Sequence, residues 1–407
     1  MMRARLISRD RPDDLMLALR RLNLSVRSCQ QLTRELGHAQ VLVTGGRPSY
    51  EEELLPEYGT REREQFPTWV SGKASDRAGD ALLSGSRKQF ERLITLARKS
   101  PRTDALARAL EAVLELQAPP VLELGGRRFE WGTRTYVMGV VNVTPDSFSD
   151  GGRFADTASA VAHGVALAEA GADILDVGGE STRPGSLPVP AEEELARVLQ
   201  VVEGLRERTS VPISVDTMKA SVATEVLKAG AHLINDVTGF HFDPTLPGVV
   251  AAAGAACCLM HTQGMPRTMQ QQPVYEDVMG EVMDYLEQGV LQALLAGIPR
   301  ERILLDPGIG FGKTLEHNLF LLRRLEELRG LGQPLLVGTS RKSFLGKLTG
   351  GRGPTERLAA TLGSVGAMAV MGGADVVRVH DVTEARDALA VADAIRHARG
   401  GGDLYGA

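Results

Sequence analysis

Polar side chains that could do chemistry end short apolar runs in the last two thirds of the sequence. Two carboxylates, Asp216 and Asp306, each end such a run and offer only hydrogen-bond acceptors. Asn235 offers both donors and an acceptor, and Lys342 offers donors. This combination suits a planar heterocycle with an N–H-rich edge and a carbonyl. The two carboxylates could instead hold a metal ion, but no histidine lies near either one in sequence.

A second set of side chains is typical of an anion site. Arg378 and His380 are two residues apart on an expected strand, so they point to the same side, and we expect them opposite the carboxylates. Ser181, Thr182 and Arg183 lie on a glycine-bordered loop. Together these donors suit phosphate or pyrophosphate.

The carboxylates also have a simpler interpretation as helix N-caps. Asp216, Asp236 or Asp381 could each cap the helix that follows it. Capping does not explain why three carboxylates end apolar strands alongside Lys342 and Arg378. We therefore favour a binding site.

Two polar loops rich in turn residues, 144–152 and 178–185, are typical of mobile lids. Phe148 and Arg183 are costly residues for turns without a function. The glycines of segment 308–312 lack the dinucleotide-binding spacing and are a weak phosphate signal.

Regular elements must position these residues, and their pattern predicts an α/β fold. The expected strands are Tyr136–Thr144, Asp173–Gly179, Pro212–Thr217, Leu233–Val237, Ala256–His261, Ile303–Pro307, Pro334–Ser340 and Val376–Asp381. The amphipathic stretches between and after them are Thr157–Ala170, Ala191–Arg208, Lys219–Ala229, Thr245–Ala253, Tyr275–Ala296, Leu315–Leu328, Thr355–Met371 and Thr383–Ala398. Eight strand–helix repeats predict a (β/α)8 TIM barrel, with the strand ends gathered at one rim. A doubly wound open sheet is the alternative.

Residues 1–118 differ in character and predict an additional small α/β domain, separated from the barrel of residues 119–407 by Pro119 and Pro120. A strand is expected at Val41–Val43. Helices are expected at Asp14–Leu22, Gly79–Ala97 and Asp104–Leu116. This segment contains no Walker loop, zinc pattern or clustered acid and histidine set, so we interpret it as an interaction or regulatory module of unknown role.

Composition narrows the class of protein. The chain has 407 residues, 43% of them hydrophobic, which is typical of a folded globular protein. A net charge of -5 argues against a nucleic-acid-binding surface over the whole molecule.

The three cysteines, Cys29, Cys257 and Cys258, form no paired framework, which suits a reducing compartment. The start of the chain lacks a signal sequence, and the apolar stretch Leu358–Ala374 is too short to span a bilayer. We expect a cytoplasmic protein without a membrane partner.

Individual residues of strand five have ordinary interpretations. Cys257 and Cys258 alternate in direction and are expected to pack in the core. His261 is expected to be a core or rim histidine.

The barrel segment resembles dihydropteroate synthases, members of the pterin-binding family. The resemblance covers about residues 120–400 and depends on eight motifs in the family's order. They are MGVVNVTPDSFSDGG, GGESTRPG, SVDT, INDV, LMHTQGMP, LDPGIGFGK, VGTSRKSFLG and VRVHDV.

The resemblance implies a role for each matching residue. It implies that the pterin contacts are Asp216, Asn235, Met260, Asp306, Phe311 and Lys342. It implies that the p-aminobenzoate site and its loops include Phe148, Thr182, Arg183, Pro184 and Ser340. It implies that pyrophosphate is bound by Asn142, Thr182, Arg183, Arg378 and His380, with Asn142 as the direct ligand of Mg²⁺. Asp216, Lys342, Arg378 and His380 are the implied catalytic residues.

The activity implied is a transferase of folate biosynthesis. It would join 6-hydroxymethyl-7,8-dihydropterin pyrophosphate to p-aminobenzoate, with magnesium as cofactor, and release pyrophosphate. The resemblance also implies a homodimer and sensitivity to sulfonamides. No departure from the family occurs at the motif positions, and residues 1–118 are the addition.

Two other functions stay open at this stage. A corrinoid-linked methyltetrahydrofolate methyltransferase would share the pterin-reading acids, but it has no pyrophosphate to bind. Segments 340–342 and 378–380 therefore argue against it. A non-catalytic pterin-binding paralogue would act as an interaction protein through residues 1–118, and a turnover assay distinguishes it.

Overall fold

The computed structural model describes residues 3–7, 39–44, 54–55, 65–71, 80–114, 119–143, 153–181, 186–264, 269–270 and 273–398. The chain divides into two compact units. One contains Met1–Pro119 and Glu326–Gly332, and the other contains Pro120–Leu325 and Gln333–Ala407.

The first unit contains an antiparallel sheet with the strand order β1-β2-β4-β3. Its elements are β1 Arg3–Ile7, β2 Ala39–Thr44, β3 Thr68–Ser71, β4 Ala81–Gly85, α1 Arg87–Ala97 and α2 Asp104–Val113. Val41, Leu83, Phe90, Leu93 and Leu106 are fully buried in its core. The expected strand at Val41–Val43 is confirmed as part of β2, and the expected helix at Asp104–Leu116 is confirmed over Asp104–Val113 as α2. Residues 115 and 116 lie outside the described residues. The expected helix at Asp14–Leu22 lies outside the described residues.

The expected helix at Gly79–Ala97 is half wrong. Its first residues form the central strand β4, which pairs with β2 and β3 on either side and is buried along its whole length. A capping box then starts α1, because Gln89 donates its backbone N–H to Ser86 Oγ and its side-chain oxygen accepts the Ser86 N–H. A short apolar run such as Ala81–Leu83 fits a strand or a helix equally well from periodicity alone.

The second unit is an eight-stranded parallel barrel. Its strands are β7 Tyr136–Asn142, β8 Ile174–Gly178, β9 Ile213–Asp216, β10 Leu233–Asp236, β11 Ala256–Met260, β12 Ile303–Asp306, β13 Leu336–Val337 and β14 Val376–Val379. The hydrogen-bonded order runs from β12 through β7 to β14 and β13. A parallel bridge between Leu305 and Leu335 joins the two ends. The closed barrel is confirmed, and the open sheet is excluded.

Helices follow the strands as the periodicity predicts. They are α3 Arg153–Glu169, α4 Ala191–Arg208, α5 Ala220–Lys228, α6 Leu246–Ala252, α7 Val278–Leu295, α8 Leu315–Arg323, α9 Ser343–Leu348, α10 Leu358–Val370 and α11 Val382–His397. The short helix α9 was not expected. The stretch expected to be helical to Leu328 changes to a 3₁₀ helix, Leu325–Leu331, after α8.

A hairpin of β5, Leu122–Leu124, and β6, Arg127–Phe129, packs on the amino end of the barrel and was also not expected. Leu122 and Phe129 join one buried cluster with Ile174, Leu233 and Val376 from the first residues of three barrel strands. An aromatic group continues this layer: the Phe129 ring centroid lies 4.9 Å from that of Tyr136 and 5.9 Å from that of Trp131. The interior of the barrel is thus filled with side chains at its amino end, and active sites of such barrels lie at the carboxyl ends of the strands.

Individual core predictions are confirmed. Cys257 and Cys258 are buried free thiols on β11, and His261, the residue after this strand, is also buried. Cys29 lies outside the described residues. Among the helices that the structure describes, each is too short or too polar to cross a bilayer, and the apolar stretch from Leu358 forms the barrel helix α10.

Candidate active site

The carboxyl ends of the barrel strands bring four predicted polar residues to one place. Asp216 ends β9, Asn235 is on β10, Asp306 ends β12 and Arg378 is on β14. The three acidic and amide side chains are buried, and Arg378 is half-buried. They come from distant parts of the sequence because parallel strands all end at the same rim.

Arg378 lies between two carboxylates. Its Nε donates to Asp176 Oδ2 at 2.6 Å, and its second terminal nitrogen, Nη2, donates to Asp216 Oδ2 at 3.2 Å. The expectation that Arg378 stands opposite the acid cluster is therefore wrong. The long guanidinium side chain reaches across the mouth from β14 to β8 and β9, a distance that strand order alone does not reveal.

Asp176 is the site residue that the sequence interpretation did not assign. It lies on β8, is fully buried, and also accepts the Ser214 hydroxyl at 2.6 Å and the Asn235 side-chain N–H at 3.1 Å. A carboxylate within the apolar run of β8 was the available signal. Ser214 pairs with Asp176 across the strands, and two residues further along β9 lies Asp216 on the same face.

A second charged pair occupies the neighbouring part of the mouth. Asp306 accepts the Gly308 N–H at 2.7 Å. Lys342 donates to the Ile309 carbonyl, and its ammonium lies 4.8 Å from the centroid of the Phe311 ring. The Asp306 and Lys342 side chains therefore both contact the loop that presents Phe311.

Glycine is required in this loop by close backbone contacts. Gly308 has a φ of 66°, and a Cβ there would lie 1.8 Å from the His261 carbonyl oxygen. Gly310 has a φ of 87°, and its Cβ would lie 3.2 Å from Lys342 Cδ. The glycines thus hold the loop against β11 and Lys342 and orient Phe311, a role unrelated to phosphate binding.

One wall of the mouth is apolar. Met260, at the end of β11, packs with Met218 and Val237, and Phe311 packs against this cluster. Such a surface suits the face of a flat ring, while the polar groups around it suit the ring's edge.

Burial shifts the ionisation of the charged side chains. It raises the pKa of Asp216 to about 8, because Arg378 only partly offsets the desolvation and the charge of Asp176 adds to it. Burial likewise lowers the pKa of Lys342 to about 8, although Asp306 opposes the shift. It also raises the pKa of Asp306 above its ordinary value. Each group is desolvated and poised for a ligand that completes its interactions.

The N-cap alternative for Asp216 does not fit the geometry. Helix α5 begins after Lys219 without a side-chain cap, and the Ala220 N–H is accepted by Asp243 Oδ2 at 2.9 Å. The Asp216 carboxylate contacts Arg378 instead. Asp236 has the local role, since it accepts the backbone N–H groups of Thr238 and Phe240.

Ser340 and His380 contact each other at the far side of the rim. Ser340 Oγ accepts the His380 backbone N–H at 3.2 Å and lies 2.9 Å from His380 Nδ1. When the hydroxyl donates to Nδ1, the ring proton is on Nε2, which can then donate to an anion.

Asn142 ends β7 and is half-buried. Within the described residues its amide makes no hydrogen bond, so its oxygen is available to a hard cation. The residues that the structure describes contain no group of three or more His, Cys, Asp or Glu side chains that could hold a metal ion. A cation here would need oxygen ligands from water or substrate, which is the usual condition of Mg²⁺ at phosphates.

Phe148, Thr182, Arg183 and Pro184 lie outside the described residues, as do the whole expected lid 144–152 and residues 182–185 of the expected lid 178–185. Their predicted contacts with p-aminobenzoate and pyrophosphate stay predictions.

The fold and the site define a TIM-barrel enzyme whose buried mouth combines a flat apolar wall, paired acids and a guanidinium. Residues 138–380 match the family model of pterin binding enzymes. The chain therefore belongs to the pterin-binding enzyme family.

Relatives and solved structures agree with this assignment. Dihydropteroate synthase of Synechocystis sp. is 47% identical over 277 residues, covering 68% of this chain and 96% of the relative. The Escherichia coli enzyme of the same name is 49% identical over 264 residues, covering 65% and 93%. Xanthomonas albilineans dihydropteroate synthase in complex with 7,8-dihydropteroate superimposes with a TM-score of 0.62 at 42% identity, covering 69% of this chain and 100% of that one. Yersinia pestis dihydropteroate synthase in complex with a sulfonamide drug superimposes with a TM-score of 0.64 at 44% identity. The match covers 68% of this chain and 100% of that one.

Proposed function

We propose that the chain is a dihydropteroate synthase, a transferase of folate biosynthesis. It joins 6-hydroxymethyl-7,8-dihydropterin pyrophosphate to p-aminobenzoate and releases 7,8-dihydropteroate and pyrophosphate. The observation that carries the proposal is the Asp176–Arg378–Asp216 cluster beside Lys342 and Asp306, next to a flat apolar wall. Such a mouth accepts a ring with an N–H-rich edge and an anion attached to it.

The pterin ring is proposed to lie against Met260 and Phe311. Asp216 and Asp306 accept N–H groups from its edge, while Asn235 and Lys342 meet its remaining acceptors and donors. Burial supports this arrangement, because the charged groups lose water before the ligand arrives and regain hydrogen bonds when it binds.

The pyrophosphate is proposed to lie over Arg378 and His380. Asn142 would hold Mg²⁺, which when bound supplies positive charge to the oxygens of the leaving group. Thr182 and Arg183 would complete the anion contacts, and Phe148, Pro184 and Ser340 would shape the p-aminobenzoate site.

The residues of the chain account for the order in which bonds break and form. The bond between the pterin methylene carbon and the pyrophosphate oxygen breaks, and Arg378 and His380 stabilise the negative charge on that oxygen. The electron-rich dihydropterin bears the positive charge, which the Asp216 carboxylate favours, so bond breaking runs ahead of bond making. The neutral arylamine nitrogen then attacks the carbon and loses a proton to solvent. No strong general base is required, since the nucleophile is neutral from the start.

The test is turnover by the full chain. With both substrates and Mg²⁺, we expect stoichiometric 7,8-dihydropteroate and pyrophosphate, measured by chromatography and a coupled phosphate assay. Ligand binding without any product would identify a non-catalytic paralogue. Methyl transfer from methyltetrahydrofolate to a corrinoid would identify the methyltransferase, which the relatives' names do not favour.

Binding of p-aminobenzoate is expected to depend on the other ligands. If loop residues and pyrophosphate complete its site, p-aminobenzoate binds weakly to the empty enzyme and tightly with pyrophosphate and Mg²⁺ present. Titration calorimetry in both states measures the difference. Equal affinity would show that the arylamine site exists before pyrophosphate binds.

Sulfonamides are expected to compete with p-aminobenzoate, because their aniline and acidic sulfonyl groups copy its two ends. Initial rates at varied p-aminobenzoate should show a raised KM with unchanged kcat. Non-competitive inhibition would contradict the proposed arylamine site.

We propose a homodimer as the assembly, as the family resemblance implies. Sedimentation of the full chain at several concentrations tests it. Residues 1–118 keep their proposed role as an interaction or regulatory module, and the cytoplasmic location stays a prediction from the sequence.

A further inference from the structure

Asp176 receives hydrogen bonds from three other strands of the barrel. Its Oδ1 accepts the Ser214 hydroxyl from β9, and its Oδ2 accepts both the Asn235 side-chain N–H from β10 and the Arg378 Nε–H from β14. The side chain is fully buried. A buried carboxylate is stable only when such donors surround it, and two of these donors, Asn235 and Arg378, also belong to the proposed ligand site.

The contact with Asp176 sets the orientation of the Asn235 amide. Because Nδ2 donates to Asp176, Oδ1 is turned away from it and remains the acceptor of the amide. Without a carboxylate at position 176, both amide orientations become available. Asn235 could then present donors where the ligand needs an acceptor.

The two carboxylates around Arg378 are not equivalent. Asp176 holds Nε at 2.6 Å and is fully buried, whereas Asp216 holds Nη2 at the longer distance of 3.2 Å and is 9% exposed. Asp176 also accepts hydrogen bonds from Ser214 and Asn235. Among the described residues, the side chain of Asp216 accepts a hydrogen bond from Arg378 alone. A ligand can therefore replace Arg378 at Asp216 more easily than at Asp176.

We propose that Asp176 is a positioning residue that keeps Arg378 and Asn235 in their binding orientations while Asp216 exchanges the guanidinium for the pterin. This proposal rests on the proposed function and assigns to Asp176 no contact with substrate. The paired charges remain balanced during the exchange, because Arg378 keeps one carboxylate and Asp216 gains the donors of the ring.

The first test compares Asp176→Asn with Ser214→Ala in the full chain. Asp176→Asn keeps the shape but places an amide N–H against donors, so kcat/KM for dihydropterin pyrophosphate should fall by roughly 100-fold or more. Ser214→Ala removes a hydrogen bond from the same carboxylate but leaves its bonds to Asn235 and Arg378, so the loss should stay within about threefold. Equal losses in the two folded variants would overturn the proposal.

A double-mutant cycle asks whether Asp176 acts through Arg378. A lysine at position 378 cannot hold two carboxylates with a planar fork, so Arg378→Lys removes the geometry that Asp176 maintains. In that background Asp176→Asn should cost far less than it does alone. Fully additive losses would mean that Asp176 does not act through Arg378, and the proposal, which requires this action, would fail.

A nuclear magnetic resonance measurement needs neither turnover nor a folded Asp176 variant. In the full-length protein labelled with ¹⁵N-arginine, the Arg378 Nε–H signal, assigned by its loss in Arg378→Lys, should be protected from solvent exchange. Adding 6-hydroxymethylpterin should leave it protected, since Asp176 keeps Nε. Rapid exchange in either state would overturn the positioning role. Absence of dihydropteroate formation with a protected signal would instead contradict only the proposed function.

Discussion

Asp216→Asn is expected to lower kcat/KM by two orders of magnitude or more, roughly 2.7 kcal/mol. The substitution keeps the size of the side chain but removes the negative charge that Asp216 carries in the complex, where the donors of the pterin favour its ionised form. One carboxylate oxygen becomes an N–H donor that faces these donors. Binding and the cationic transition state both lose stabilisation, the transition state more. We therefore expect kcat to fall together with affinity.

The same substitution is expected to leave the barrel folded. Arg378 keeps its shorter bond to Asp176, so no cation is left without a carboxylate. Asp243→Asn is the matched control, because Asp243 accepts the Ala220 N–H at the start of α5 and lies outside the site. Near wild-type kcat in a folded Asp216→Asn protein would remove Asp216 from the pterin site.

Asp216 should also make stability depend on pH. Burial raises its pKa from 3.8 to about 8, so the folded state keeps the proton over a pH range in which the unfolded chain has lost it. Ionisation of Asp216 therefore reduces the free energy of unfolding as pH rises from about 4 to about 8. The side chain that Asp216→Asn introduces does not ionise. The melting temperature of the variant should therefore rise relative to that of the wild type as pH increases over this range. Thermal melts at pH 5 and pH 8 measure the difference, and an unchanged difference would contradict the raised pKa.

Arg378→Ala has the second large expected effect, a loss of roughly 2 to 4 kcal/mol of transition-state stabilisation, by analogy with a lost oxyanion donor. The guanidinium neutralises charge on the departing pyrophosphate, so kcat should fall and inhibition by product pyrophosphate should weaken. Steady-state kinetics with dihydropterin pyrophosphate measures both.

Stability must be followed in the same variant. Removing Arg378 leaves Asp176 and Asp216 close together without their cation, so a lower melting temperature is expected. Arg302→Ala is the control, because Arg302 precedes β12 at the amino end and donates to the Gly254 carbonyl at 2.6 Å. Unchanged kinetics in folded Arg378→Ala protein would exclude Arg378 from the anion site.

The sequence predicted the barrel well because its strands are apolar runs with clear helical stretches between them. It failed where local pattern and tertiary structure differ. The apolar run 81–83 forms a strand because neighbouring strands on both sides pair with its backbone. Helix α9, with six residues, is too short to show periodicity, and the β5–β6 hairpin has only three residues in each strand.

Position at a strand end was sufficient to find Asp216, Asn235 and Arg378. It did not reveal which groups touch, because Arg378 is separated from Asp216 by 162 residues and from Asp176 by 202. Asp176 received no role from the sequence, since a single carboxylate within an apolar run does not show what surrounds it. Its importance comes from the donors of three other strands, which only the folded barrel brings together.

The filled amino end of the barrel has a consequence for evolution. The hairpin, the aromatic group and the first residues of the strands supply stabilising apolar contacts at a distance from the reacting groups. Mutations at the open rim can therefore cost stability without removing these contacts. A chain built this way can sample altered substrate or inhibitor preference at its mouth while selection on the opposite end keeps it folded.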